Sequence, residues 1–283
     1  YAGTTRQAVV DNLLRAAQRV ATLAPPTSAT DTSPLRPPGR DATAEERKAF
    51  VRMQVREGLE LRAWWVNEMT VTRSPLTERM TLFWHNHFVS AQPKVRATRL
   101  MYWQNATLRA NALGNFGTLL HAIGKDPAML VYLDGVRSRK GTPNENFARE
   151  VMELFTLGEG NYTEQDIKEA ARAFTGWGID PETGAFVFRR ERHDDGVKRV
   201  LGRSGPLDGG DVLEILLGEP QTAQLIVRKL WQEFISREPD APGGHSARTI
   251  GWIEWLEQRG LVRRVLDWSF LASGDCAGHS IPA

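Results

Sequence analysis

The sequence predicts a mainly α-helical protein, with a single helical domain and one small β-hairpin. Apolar residues recur at helical spacing along most of the chain, several of these stretches begin with a helix-capping pattern, and one region alone has short β-rich runs. The chain has 283 residues, of which 41% are hydrophobic and 25% are charged. A chain of this length and composition can bury a large core, so general disorder is excluded.

Three segments are distinguished by composition. Residues 1–24 are predicted to form an amphipathic N-terminal helix over 4–24, and residues 25–42, rich in Pro, Thr and Ser, are a predicted linker or surface loop. Residues 43–283 form the predicted helical domain. Capping patterns at Thr43, Thr142-Pro143 and Thr163 open helices that should end near Val71, Gly158 and Phe174, and Ser74-Pro75 starts a further helix. Other helices are expected over 95–113, 116–123, 128–133, 212–217, 221–236, 247–258 and 261–271.

The hairpin is predicted near residues 185–202. The runs Phe186–Phe188 and 198–201 flank Asp195-Gly196, a dipeptide that favours tight hairpin turns.

Charge and cysteine content exclude several classes of protein. The formal net charge is +2, which argues against a dedicated nucleic-acid-binding protein. The single cysteine, Cys276, excludes an intrachain disulfide framework and any multi-cysteine metal site. No apolar run is long enough to predict a membrane span.

The first candidate site is Trp84-His85-Asn86-His87-Phe88. The surrounding apolar pattern is helical, and a separation of two residues turns a helix by about 200°, so the two histidines should point in nearly opposite directions. His87 lies in the apolar stripe, where it is either a hydrogen-bonded core residue or a site residue. His85 is expected to face another partner or the surface.

The second candidate site lies within residues 144–153. Asn146, Glu150 and Glu153 share one polar stripe of the predicted helix, and paired carboxylates can bind a metal or act as acid and base. A surface role is equally open, with Arg149 pairing with Glu145 and Glu153 at one-turn spacing.

The third candidate site is His193-Asp194, followed by Gly196 and Lys198 on the hairpin. A histidine beside a carboxylate offers a base with an orienting partner, or two metal ligands; the alternative is a solvent-exposed polar turn. Nucleophile-elbow, zinc-helix, phosphate-loop and dinucleotide motifs are absent from the sequence. The tryptophans, among them Trp84 and Trp177, are either core residues or walls of a cleft.

The order of these motifs resembles a bacterial family known as domain of unknown function 1800. The matching residues run from roughly Leu76 to Phe234, and the preceding Pro-rich tract lies outside the resemblance. The motifs are Phe83-Trp84-His85-Asn86-His87-Phe88, Pro127-Ala128-Met129-Leu130, Tyr132-Leu133-Asp134, Asn144-Glu145-Asn146-Phe147-Ala148-Arg149-Glu150, Glu153-Leu154, Thr156-Leu157-Gly158, Tyr162-Thr163, Glu169-Ala170-Ala171-Arg172-Ala173-Phe174-Thr175-Gly176-Trp177 and His193-Asp194-x-Gly196-x-Lys198. One departure is Phe155, where members of the family often have histidine.

The resemblance implies an exported protein, in the periplasm, the cell envelope or the medium, that is often encoded beside an exported sulfatase-like partner. It names no reaction, and it favours His87 over His85. The resulting hypothesis is a hydrolase or lyase acting on a polysaccharide or a sulfated or anionic substrate. The expected catalytic residues are His87, Glu150, His193 and Asp194, and the expected substrate-binding residues are Asn144, Asn146, Arg149, Trp84, Trp177 and Lys198. Two imidazoles and a carboxylate would suit a divalent transition metal. The alternative is a non-catalytic binding or assembly protein whose polar motifs form a buried network.

Overall fold

The structure, a computed structural model, describes residues 5–33, 35 and 38–234. It confirms the mainly α-helical fold class. The helices predicted over 247–258 and 261–271, the last residues of the one predicted over 221–236, and Cys276 lie outside the described residues. Within them, no helix has both the length and the apolar character needed to cross a membrane.

Helices follow one another along most of the described chain. They are α1 (Arg6–Arg15), α2 (Thr27–Thr30), α3 (Ala44–Val71), α4 (Pro75–His87), α5 (Gln92–Val95), α6 (Thr98–Ala110), α7 (Phe116–Gly124), α8 (Pro127–Tyr132), α9 (Glu145–Met152), α10 (Glu164–Ala173), α11 (Gly209–Gly218) and α12 (Pro220–Phe234). A π-helical segment, Glu153–Leu157, continues α9, and two 3-10 turns cover Gly135–Arg137 and Arg190–Arg192.

Two of the predicted capping boxes are confirmed. The side chains of Thr43 and Glu46 cap α3, and those of Thr163 and Asp166 cap α10. The capping box predicted at Thr142 is wrong. Asn144 caps α9 instead, accepting a hydrogen bond from the Phe147 amide at 3.2 Å, because the backbone of Thr142 is already paired with Arg139 in a tight turn.

Within the described residues the β structure consists of two small hairpins, where the sequence predicts a single one. β1 (Trp177–Ile179) pairs with β2 (Phe186–Phe188), and β3 (Lys198–Val200) pairs with β4 (Arg203–Gly205), both antiparallel. The runs that were expected to pair with each other therefore belong to different sheets. Leu201 and Gly202 have φ values of 45° and 78°, as a tight two-residue turn requires, so β3 turns directly into β4.

The core is built from aromatic and aliphatic side chains of α4 and α6 to α12, together with side chains of the π-helical segment, β1 and β3. Trp84, Phe88, Phe116, Phe147 and Phe174 are among its largest fully buried members. α10 packs against α9 and β3, and α12 packs against the π-helical segment. α3 lies outside this core, beside α6.

The N-terminal tract is fastened to the helices through its backbone. α1 ends at Arg15, short of the predicted helix over 4–24, and the carboxylate of Glu68 accepts hydrogen bonds from the amides of Thr22 (2.8 Å) and Leu23 (2.7 Å). Because these two amides donate to Glu68, they do not form the backbone hydrogen bonds that a longer helix would need. Further along, the Arg99 guanidinium donates to the carbonyl groups of Asp31 and Ser33.

Candidate functional site

The two histidines of α4 face different surroundings, as their spacing predicts. His87 is buried in the aromatic core, with 4% of its surface exposed. His85 is half-buried and lines a cleft of about 600 Å³ between α3, α4, the 90–96 segment and α6. This cleft, here called the His85 cleft, is lined by Val51, Gln54, Val55, Gly58, Leu61, Arg62, Trp64, Trp65, His85, Ser90, Gln92, Pro93, Arg96, Met101 and Asn105.

A polar network fixes the tautomer of His85. The Asn105 side-chain oxygen accepts a hydrogen bond from Arg109 at 2.6 Å, so its amide nitrogen is the atom that donates to His85 Nε2 at 3.0 Å. Because Nε2 accepts, the hydrogen of the neutral ring is on Nδ1. Burial, with the nearby charge of Arg109, lowers the pKa of His85 to about 4. His85 is therefore a neutral imidazole at physiological pH.

A buried ion pair supports this network from behind. Arg109 donates to both carboxylate oxygens of Glu78, at 2.6 and 3.0 Å, and both side chains are almost completely buried. The Trp65 ring nitrogen donates to the same carboxylate at 3.0 Å. The Trp65 ring also contacts the His85 ring, with 4.5 Å between centroids. These contacts hold the imidazole and the indole in a fixed relative position.

The rim of the His85 cleft is cationic. Arg62 and Arg96 are exposed there, and the described lining contains no Asp or Glu. Arg96 has φ 65° and ψ −43°, a region that side-chain-bearing residues rarely occupy and that is typical of functional loops. A half-buried tryptophan, a neutral histidine and two arginines suit a ligand that is both hydroxyl-rich and negatively charged.

His87 is engaged at both ring nitrogens. Nε2 donates to the Phe155 carbonyl at 3.1 Å, and Nδ1 accepts from Lys229 Nζ at 3.0 Å. Burial lowers the pKa of His87 to about 3. The ring is neutral and, in this arrangement, has no lone pair left for a metal ion.

The predicted substrate-binding residues of α9 make local contacts. Asn144 and Asn146 both donate to the Leu133 carbonyl, at 3.0 and 3.4 Å. Arg149 forms a two-pronged ion pair with Glu164, at 2.6 and 2.8 Å, rather than the suggested pairs with Glu145 and Glu153. These residues brace α9 against the preceding loop and the start of α10.

Glu150 and Glu153 lie side by side on α9 and the π-helical segment. Partial burial raises the pKa of Glu150, and the neighbouring Glu153 carboxylate raises it further. Glu153 accepts a hydrogen bond from the Tyr162 hydroxyl, and burial and this bond raise the pKa of Tyr162 to about 12.

His193 and Asp194 attach the 193–198 loop to α10 and to the residues just after it, and Lys198 braces the loop from within. His193 is buried, and its Nδ1–H donates a hydrogen bond to the Thr175 carbonyl at 2.8 Å. Asp194 pairs with Arg172 and accepts from the Gly196 amide, which together lower the pKa of Asp194 to about 2. Lys198 is 1% exposed and donates to the Gly196 carbonyl, and burial lowers its pKa.

The structure does not assemble His87, Glu150 and His193 around common partners. His87 contacts the π-helical segment and α12, whereas His193 contacts the end of α10. No group of three or more His, Cys, Asp or Glu side chains in the described chain is placed to hold a metal ion. Trp84 and Trp177 are core residues: the Trp84 ring nitrogen donates to the Ala112 carbonyl, and the Trp177 ring packs on Phe174 and Phe186.

The family described as Protein of unknown function (DUF1800) matches residues 1–265 of the chain. The chain belongs to this family. The match extends beyond the region 76–234 on which the resemblance was based, and it includes the Pro-rich tract. Comparisons with curated proteins and with solved structures gave no match.

In this DUF1800 protein the main residues that sequence reasoning missed are Glu78, Asn105, Arg109 and Lys229. A signal was present for the first three: Glu78 and His85 are seven residues apart on α4, and Asn105 and Arg109 are four apart on α6. Such spacings put polar groups on one face of each helix. No sequence pattern of this kind points to Lys229, because its partner, His87, is 142 residues away in the chain.

Proposed function

We propose that this DUF1800 protein is an enzyme acting on an acidic, hydroxyl-rich substrate, such as a carboxylated or sulfated polysaccharide, in the His85 cleft. The observation that carries the proposal is a neutral, tautomer-fixed imidazole facing a cleft with an aromatic wall and a cationic rim. Trp65 would stack on a sugar ring, and Arg62 and Arg96 would bind the acidic group.

The chemistry of the cleft favours elimination over hydrolysis. Most glycoside hydrolases use a pair of carboxylates, which the described lining does not contain. Elimination next to a carboxylate instead builds negative charge on oxygen, and arginines and a neutral imidazole N–H stabilise such charge. In this scheme Asn105 holds Nε2, and the Nδ1–H of His85 donates a hydrogen bond to the substrate carboxylate. The proton removed from the adjacent carbon passes to water, and the departing sugar oxygen takes up a proton from water.

The test compares His85→Gln with His121→Gln on a panel of uronate-containing and sulfated polysaccharides. New reducing ends report any chain cleavage, and ultraviolet absorbance of the new double bond reports elimination. Removing one charge-stabilising donor should lower turnover by about 100-fold or more. His121, which pairs with Glu214 far along the chain at the surface, is the control and should keep full activity. A His85→Gln variant that is fully active would refute the assignment.

A second candidate function, non-catalytic binding or assembly, is favoured by an exposed apolar row on α3, which begins at the His85 cleft with Val51 and Val55. Val51, Val55, Leu59 and Val66 are each more than half exposed there. Exposed apolar rows of this kind are typical of surfaces that contact another protein. Saturable polysaccharide binding by the wild type, with no cleavage of any substrate in the panel, would favour this function over the enzymatic one.

The setting of the protein is proposed from the family resemblance. We place it outside the cytoplasm, beside an exported sulfatase-like partner. Cell fractionation tests the location, and co-purification from the exported fraction tests the partner. The predicted transition metal is tested by elemental analysis of the purified protein, in which a stoichiometric ion would support it.

A further inference from the structure

A lysine side chain in a distinctive setting, Lys229, contacts His87 on the opposite side of α4 from the His85 cleft. Lys229 of α12 is half-buried, and its Nζ contacts His87 Nδ1 at 3.0 Å and the Leu154 carbonyl at 3.2 Å. Both partners are uncharged acceptors. The acid one turn further along the helix, Glu233, forms an ion pair with Arg79 at 2.6 Å. The described surroundings of this lysine thus supply acceptors but no carboxylate.

The geometry suits a neutral amine. A neutral lysine has two N–H bonds and one lone pair, and here the two acceptors account for both N–H bonds. The lone pair then points away from His87 and Leu154. Burial without a counter-charge also lowers the pKa of Lys229. Lysines activated by desolvation are typical nucleophiles toward carbonyl carbon.

We propose that Lys229 is a reactive amine that forms an imine with a carbonyl compound, such as an open-chain sugar or another aldehyde. The Lys229 nitrogen attacks the carbonyl carbon, a C–N bond forms, and the carbonyl oxygen leaves as water with the two amine hydrogens. No oxidant or reductant is required. When the imine nitrogen is protonated it again has one N–H bond, and this N–H can donate a hydrogen bond to His87 Nδ1. This site is separate from the proposed His85 cleft, and its test does not depend on that function.

The test measures the rate at which each lysine of the intact protein is trapped by glycolaldehyde with cyanoborohydride. Chymotryptic peptides analysed by mass spectrometry give the rate at each position. An amine with a lowered pKa has a larger neutral fraction, so at about pH 7 Lys229 should react several-fold faster than Lys48. At about pH 10 the two rates should approach each other.

Two lysines serve as internal controls. Lys48 is exposed on α3 and represents an ordinary accessible amine, whereas Lys198 shares the lowered pKa but is 1% exposed and should react slowly throughout. The Lys229→Arg variant should lose only the rapidly formed adduct, which shows that this adduct is on Lys229. If Lys229 instead serves only as a charged cap on the carbonyl end of the π-helical segment, it will react no faster than Lys48 at about pH 7, and the proposal is overturned.

Discussion

At the scale of single residues, hydrogen-bond partners decide what the two histidines of α4 can do. His85 is held by a side-chain amide and faces open space, whereas His87 is held by a lysine and a backbone carbonyl inside the aromatic core. Helical spacing predicts their opposite directions correctly. It does not predict which of them lines a cleft, because the walls of the cleft come from α3 and α6, which are distant in sequence.

Asp194 provides a prediction about pH. Its pKa is lowered to about 2 from 3.8 in the unfolded chain, so its ion pair with Arg172 stabilises the fold above pH 4, and this contribution disappears as the pH falls toward 2. From this shift, Asp194→Asn should cost about 2 kcal/mol at neutral pH, and the difference from wild type should shrink between about pH 4 and 2. Urea unfolding at several pH values measures it.

The control for Asp194 is its neighbour Asp195. The side chain of Asp195 is 55% exposed and pairs with the exposed Arg190, so Asp195→Asn should change the free energy of unfolding by less than about 1 kcal/mol. Equal effects of the two substitutions, or a wild-type curve with no loss of stability below pH 4, would contradict the assigned role of Asp194.

At the scale of elements, the stretch from α9 to Gly158 shows what periodicity can and cannot predict. The sequence predicts an end at Gly158, and the φ of 80° there confirms it. The widening into a π-helix over Glu153–Leu157 was not predicted, because one inserted residue barely alters the apolar pattern. This segment presents the Leu154 and Phe155 carbonyls to Lys229 and His87, and so it creates the second site.

Gly158→Ala tests the conformational demand at this helix end. A Cβ would meet no atom closer than 3.8 Å, so the cost comes from the backbone conformation alone: φ 80° with ψ 163° is a region that essentially only glycine occupies, and forcing alanine into it should cost about 1–3 kcal/mol. Gly218→Ala, at the end of α11 with no atom within 4 Å of its Cβ, should be neutral or slightly stabilising. Thermal unfolding of both variants is the measurement; an unchanged midpoint in Gly158→Ala would show that Gly is not required.

At the scale of the whole molecule, local rules predict the helices well and their assembly less well. Thr43, Thr163 and Gly158 act within one turn of the chain, and the predictions built on them are confirmed. The strand run 186–188 was assigned to the wrong partner, because the pairing depends on the turn at Leu201-Gly202 and not on composition. The Glu78–Arg109 pair, which joins residues of α4 and α6, lies beyond such rules altogether.

That ion pair should be a main support of the assembly. Arg109→Met leaves the buried Glu78 carboxylate and the Asn105 amide without their partner, and it should destabilise the protein by about 3–5 kcal/mol. Arg52→Met removes an exposed pair with Glu45 and should cost less than about 1 kcal/mol. The free energies of unfolding of the two variants, measured by chemical denaturation, test this difference. A similar small loss in both would mean that packing alone holds α3, α4 and α6 together.

The fastening of the N-terminal tract has a consequence for sequence variation. Glu68 and Arg99 contact the tract through its amides and carbonyls, and the Trp64 ring nitrogen likewise donates to the Leu23 carbonyl. Every amino acid supplies a carbonyl, and all except proline supply an amide. Homologues can therefore exchange most exposed side chains between residues 16 and 33 freely, while substitutions at Glu68, at Arg99 and at the buried Ala29 should be rare. An alignment of this region would look unrelated even where the chain follows the same path.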